Sequence, residues 1–213
     1  MDRQIKSKKR VVERGEVFTN EREVKAMCDL VKDETERIDS RFLEPACGDG
    51  NFLAEILKRK LAVVKAKYKK SPLDYERNAV LAATSIYGVD IMADNVSECR
   101  ARMFGIWNKE YTAVCKKDAN DQTRNAVKFI FQKNIVCGNA LTLKKVDKDG
   151  NELKEPIVFS EWAFITGSNL QRKDYTFDEL LNSDKRQLMI KEDDEGTFLR
   201  QYITHYRRVQ DYE

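Results

Sequence analysis

The chain has 213 residues, 41% hydrophobic and 35% charged, which suits one well-packed soluble domain. Lys and Arg number 39 against 36 Asp and Glu, a formal charge of +3, so bulk charge does not argue for nucleic acid and leaves only local patches. No apolar run approaches the roughly 20 residues that span a bilayer. One histidine, with five cysteines outside any CxxC spacing, argues against a metal site.

Residues 1–14 are basic without an apolar stretch, so they predict a solvated N-terminal segment and no signal peptide, with nucleic-acid contact as a second reading. Val24, Met27, Cys28 and Val31 then recur at helical spacing behind Thr19 or Asn20 as N-cap. Arg41–Glu44 predicts a short strand. Phe52, Ile56, Leu57, Leu61, Val64 and Tyr68 predict a long helix that ends at Lys69–Pro72. Another helical stretch leads from Leu73 into a strand over Ser85–Asp90. Ala93, Val96, Cys99, Met103 and Trp107 mark the next helix, Asp121–Gln132 another, and Asn134–Cys137 a third strand. Strand and helix alternating in this way predict an α/β fold, a doubly wound, mostly parallel sheet with helices on both faces.

The pattern changes after Asn139. Lys144–Glu155 reads as a hairpin or exposed loop, and Ile157–Ile165 as a strand. Lys173–Asp194 is polar and mixed. Phe198, Leu199, Tyr202, Ile203, Tyr206 and Val209 share one face of an expected C-terminal helix. The resulting division is a basic segment (1–14), a ligand-binding α/β domain (15–166) and a C-terminal extension (167–213) packed on the core. The cysteines, in apolar surroundings and odd in number, suit reduced thiols and a cytoplasmic location.

A parallel sheet binds its ligand beyond the carboxyl ends of its strands. The first strand runs into Glu44-Pro-Ala-Cys-Gly-Asp-Gly50, where Gly48 and Gly50 let a ligand approach the backbone and Asp49 could cap the following helix. The second ends at Asp90, a carboxylate able to accept from two vicinal ribose hydroxyls or to cap the helix after it. The third exits at Gly138-Asn139, whose amide suits an adenine edge or an ordinary turn. Loop, acid and amide at three successive strand ends describe an adenosine site.

These residues resemble a family. Glu44-Pro-Ala-Cys-Gly-Asp-Gly-Asn-Phe-Leu53 looks like motif I of the S-adenosylmethionine-dependent adenine-N6 DNA methyltransferases of restriction–modification systems. Phe18-Thr-Asn20 is similar to that family's motif X, with Asn20 replacing the usual proline. Tyr87-Gly-Val-Asp-Ile91 resembles motif II and Cys137-Gly-Asn-Ala-Leu141 motif III. The resemblance covers residues 15–142 and implies a Rossmann-like core that binds S-adenosylmethionine. It implies that Phe18 and Thr19 contact the methionine end and adjacent ring. Glu44, Ala46 and Gly48 would line the amino-acid moiety, Asp90 would bind the ribose, and Ile91 with Asn139 the adenine. It also implies DNA as substrate and a specificity or partner subunit.

The family's Asn- or Asp-Pro-Pro-Tyr tetrapeptide, which holds and stacks the flipped base, is absent. Pro45, Pro72 and Pro156 are the only prolines, and no two are adjacent. Phe159-Ser-Glu-Trp162 occupies the expected place. Ser160 and Trp162 are the catalytic candidates there, against a plain reading of Phe159 and Trp162 as strand core; Glu161 and Asp174 are the nearby acids. Arg172, Lys173, Arg207 and Arg208 could form a small basic surface or simply solvated faces. The C-terminal part looks shortened for a complete enzyme of this kind. Three functions follow as expectations: a DNA methyltransferase alone or with a partner, a catalytically inactive cofactor-binding or scaffold subunit, or a methyltransferase of RNA, protein or a small molecule.

Overall fold

A computed structural model describes residues 6–14, 16–181 and 198–213. Helices α1 (Lys8–Arg14), α2 (Glu21–Leu30) and α3 (Lys32–Thr35) precede strand β1 (Phe42–Glu44). Asn20 is the α2 cap, its side chain accepting the Arg22 N–H at 2.9 Å. Val24 and Cys28 of the expected face are buried, while Met27 and Val31 stay half-exposed.

Next come α4 (Asn51–Tyr68), α5 (Pro72–Thr84), β2 (Ile86–Asp90), α6 (Ala93–Cys115), α7 (Asp121–Asn134) and β3 (Ile135–Asn139). Local chemistry sets their starts. Ser71 accepts the Asp74 N–H with Pro72 in the first turn, and Asn120 accepts the Thr123 N–H. β1 pairs parallel with β2, Phe42 opposite Ile86, and β2 pairs parallel with β3, Asp90 opposite Cys137.

One feature of the expected sheet is corrected. β4 (Lys144–Val146) and β5 (Glu152–Pro156) complete the order β1-β2-β3-β4-β5, and both join antiparallel. The sheet is therefore mixed, because the short connections after Asn139 permit hairpins but no crossover helix. Among the described residues helical segments lie on both faces: the crossover helices on one, and Phe177 and Leu180 of the helical residues 177–181 against Tyr87 and Val89 on the other. The parallel strands step in one direction only, so crossovers of one hand lay their helices on one face. Ile86 packs in that helical layer, whereas Tyr87 and Val89 face Ile157, Phe159 and Phe177 on the other side.

β6 (Val158–Phe164), β7 (Asn169–Thr176) and β8 (Arg200–His205) form a second, antiparallel sheet, with helical residues 177–181 after β7. The expected C-terminal helix is overturned. Its first half is β8, paired along β7 from Asp174↔Arg200 to Asn169↔His205, and only Tyr206–Asp211 coils, as a 3-10 helix. Tyr202, Ile203 and Thr204 favour an extended backbone once a neighbouring strand offers hydrogen bonds. The polar stretch from Lys173 begins inside β7, and its part at 182–194 lies outside the described residues. The expected boundary at 166/167 falls in the turn between the paired strands β6 and β7.

Two buried charges knit these pieces together. Glu76 on α5 accepts from Tyr111 and Tyr206 hydroxyls at 2.5 Å each, from Arg207 Nε at 2.6 Å and from Asn120 Nδ2 at 3.0 Å. This clamps the C-terminal 3-10 helix onto α5 and α6. Lys60 on α4 is fully buried and donates to the carbonyls of Arg37 (2.8 Å), Ile38 (3.1 Å) and Ser40 (2.5 Å), fastening the chain that enters β1. Burial draws its pKa down to about 8, while three carbonyl acceptors match the three N–H groups of the ammonium.

Candidate functional site

The loop after β1 is held by its own backbone. Cys47 N–H donates to the Val89 carbonyl at 2.9 Å, and Gly50 N–H to the Cys47 carbonyl at 2.8 Å. Gly50 is the N-cap of α4 at φ +90°, and a Cβ there would stand 2.6 Å from Cys99 Sγ. That glycine therefore serves helix packing. Gly48, at φ +54°, has the Phe18 ring over it, 3.0 Å from where a Cβ would lie.

Asp90 closes the arrangement. Its Oδ2 accepts the Gly48 N–H at 2.9 Å; its Oδ1 accepts the Met92 N–H at 2.8 Å and Asn95 Nδ2 at 3.2 Å. The carboxylate thus holds the turn before α6 and the glycine loop at once, while the N-cap itself is Met92. A carboxylate has about four acceptor sites, so three are taken.

Phe18, Gly48 and Asp90 come together; the other expected residues do not all join them. Asn139 accepts the Leu141 N–H at 3.0 Å and donates to Glu152 Oε1 at 2.7 Å, the behaviour of a turn residue beside the β4–β5 hairpin. Thr19 uses its carbonyl to receive Asn51 Nδ2 at 3.1 Å. Ile91 is half-buried and Ala46 exposed. Glu44 is half-buried and lines an apolar hollow with Met27, Val31, Phe42 and Phe52. Burial raises its pKa, and the Ala46 amide opposes the rise.

A cavity of about 480 Å³ lies beside the loop, lined by Phe18, Thr19, Asp49, Asn51, Glu98 and Arg102 among others. Asp49 does not cap α4. Its buried Oδ1 has no hydrogen bond and stands 3.4 Å from Arg102 Nη1, and burial raises its pKa. Nothing in the sequence announces Glu98 and Arg102, because α6 carries them to the loop from some fifty residues away.

The described part of the N-terminal segment, expected to be solvated, is ion-paired beside this region through Lys6 and Arg10. Lys6 meets Asp94 at 3.2 Å and Glu98 at 2.7 Å, and Arg10 meets Asp94 and Glu16 at 2.6 Å each. Asn95 Nδ2 also reaches Glu16 Oε1 at 2.7 Å. Hydrogen bonds and charge from Arg10, joined by Lys6, hold Asp94 down to about 2 against the opposing effect of burial.

Phe159, Ser160 and Trp162 are interior. Ser160 is buried and donates to Asp174 Oδ1 at 2.6 Å; Trp162 is buried edge-on to Phe129 and donates to Asn134 Oδ1 at 2.8 Å. The strand-core reading of Trp162 and Phe159 fits this geometry, and neither side chain presents a face to a flipped base. Glu161 pairs with Arg41 at 2.6 Å, and Asp174 receives Arg172 through two bonds. Of the four cations that could form a basic surface or plain solvated faces, Arg172 is buried, Arg207 serves Glu76, Arg208 is exposed and pairs with Asp211, and Lys173 lies 5.0 Å over the Phe198 ring.

Among the described residues no group of three or more His, Cys, Asp or Glu could hold a metal ion, and no helix is long and apolar enough to cross a membrane. Compared with protein-family models, with curated proteins and with solved structures, the chain matches none of them.

Proposed function

We propose that the chain binds S-adenosylmethionine and is a methyltransferase-like protein of the DNA adenine-N6 type with a Rossmann-like core. One observation carries the reading: the acid ending β2 bonds the Gly48 amide of the loop ending β1, under the Phe18 ring. Loop and acid on adjacent parallel strand ends are what a ribose and its charged tail require.

The fit is good at the ribose end and poor at the adenine end. Asp90 offers one free acceptor site, and release of the long Asn95 bond supplies the second that a ribose diol needs. Asn139 would have to leave Glu152 to meet an adenine edge, so no adenine contact is assigned to it. The cofactor supplies an electrophilic methyl group on its sulfonium. Asp90 would fix the ribose and Phe18 would cover the methionine end; Glu44, which lines the hollow beside β1, is assigned no cofactor contact.

The burial of Ser160 and Trp162 favours a second reading in which this chain holds cofactor and a partner chain supplies the residues that grip the base. DNA is the proposed acceptor in both.

Calorimetric titration with S-adenosylmethionine tests the shared claim. Binding is expected, weakened about tenfold or more by Asp90→Asn, the effect of one charge-assisted bond. No heat and no thermal shift in the native chain, or undiminished binding by a folded Asp90→Asn variant, would remove the cofactor assignment. Methyl transfer to DNA by the chain alone would decide for the first reading.

A further inference from the structure

The parallel strand that carries the glycine loop is the edge of its sheet. β1 pairs with β2 on one side, and among the described residues no strand lies on the other. Phe42 donates its N–H to the Ser85 carbonyl, so by the alternation of a parallel ladder Leu43 directs its N–H and C=O away from β2. Neither group meets another backbone group among the described residues. Parallel strands are ordinarily interior, because an open edge leaves such donors and acceptors as a template for a further strand.

The side chains beside this edge are apolar as well. A hollow of about 210 Å³ adjoins β1, lined by Met27, Cys28, Val31, Leu43, Phe52 and Ile56 among others. Its rim is half-exposed at Met27, Val31 and Leu43. Glu44 sits in the same lining, with the Ala46 amide as its hydrogen-bonding support. Open backbone groups, an apolar hollow beside them and a half-buried carboxylate specify one kind of occupant. It is extended, bears an aliphatic side chain towards α2, and carries a donor side chain near Glu44.

We infer that the open edge of β1 is a docking site for an extended strand of a partner chain, which adds a sixth strand to the sheet and seats an aliphatic side chain in the hollow between β1 and α2. This is recognition by strand addition, in which main-chain bonds give affinity and alternate side-chain pockets give selectivity. The docked strand would also wall the glycine loop on its open side, creating the crevice that arises where strands diverge on either side of a central one. The inference goes beyond the cofactor reading and stands without it, so its test contains no cofactor.

The probe is a synthetic, end-blocked, fluorescent peptide of alternating valine and threonine with one lysine, followed by anisotropy and by hydrogen exchange at the Leu43 amide. The peptide should bind and slow that exchange about tenfold or more. Leu43→Pro removes the edge donor in a place where proline is tolerated and should abolish binding. Met27→Lys, at an exposed position, should weaken it about fivefold or more by charging the rim, and it carries the test if the proline variant does not fold. Four results would overturn the inference: no binding at millimolar peptide, binding that both variants leave unchanged, a Leu43 amide already protected in the free monomer, or protection that grows with protein concentration alongside a dimer mass. The last would make a second copy the occupant.

Discussion

Replacing Glu76 by glutamine changes almost no volume and removes one of the two oxygens that hold the C-terminus down. Each carboxylate oxygen now faces two donors: Tyr206 and Arg207 on Oε1, Tyr111 and Asn120 on Oε2. The amide keeps one oxygen and turns an NH2 group towards the other two donors. Two charge-assisted bonds are lost at about 1.5–3 kcal/mol each, and hydroxyl rotation at a tyrosine recovers part of that, so the net cost is about 2–4 kcal/mol. In a domain of this length that lowers the melting temperature by roughly 5–15 °C.

Acid should erase the difference. Burial alone would raise the Glu76 pKa, but hydrogen bonds from Tyr111, Tyr206 and Arg207 and the Arg207 charge hold it below its ordinary 4.5. A depressed carboxylate contributes stability above its unfolded pKa and loses it as pH falls through the folded value. The gap between native chain and Glu76→Gln should therefore be full at pH 7 and shrink as pH falls below about 4.5. Urea unfolding at both pH values measures it, with Trp107 emission as a local probe, since that ring stacks on Tyr111 at 4.6 Å. A Glu76→Gln variant within about 0.5 kcal/mol of the native chain at pH 7, or a gap independent of pH, would refute the clamp.

Lys60→Met should cost about 2–4 kcal/mol despite removing a buried charge, because the Arg37, Ile38 and Ser40 carbonyls remain without their donor; chemical denaturation checks it, and a neutral result would mean that water replaces the ammonium. Gly50→Ala forces a side chain to φ +90° and into Cys99 Sγ, for a loss of about 2–4 kcal/mol. Cys99→Ala should restore part of that in the double variant, and strictly additive melting shifts would contradict the contact. Asp94→Asn removes the shared anion of Lys6 and Arg10, so trypsin should cut after Lys8, Lys9 or Arg10 several-fold faster. Half-molar salt should narrow that difference by screening the native pairs, and equal cleavage rates at low salt would show that the latch is not electrostatic.

The longer helices α2 and α4–α7 were legible because their signals are local, whereas α1 in the basic N-terminal segment was not. Asn20 caps the helix that follows, and most residues named by the apolar spacing over α4 and α6 are buried, with Phe52, Tyr68 and Ala93 only partly so. β2 and β3 were legible for a similar reason, as short apolar runs between helices. The same spacing misled at Phe198–Val209, where an apolar pattern compatible with a helix lies on β8 and a 3-10 turn. Periodicity cannot register that β7 offers a strand edge there.

At the candidate site the sequence determined which chemical groups stand at the ends of β1, β2 and β3: glycines, an acid and an amide, fixed by their places along the chain. Tertiary structure alone decided what those groups touch. It set Asp90 on the Gly48 amide, turned Asn139 towards Glu152, brought Arg102 to the buried oxygen of Asp49 and left β1 with an open edge. Each of these depends on a partner distant in sequence, or on a neighbour's absence among the described residues. The order of residues encodes the local conformation, whereas contacts follow only from how the finished elements pack.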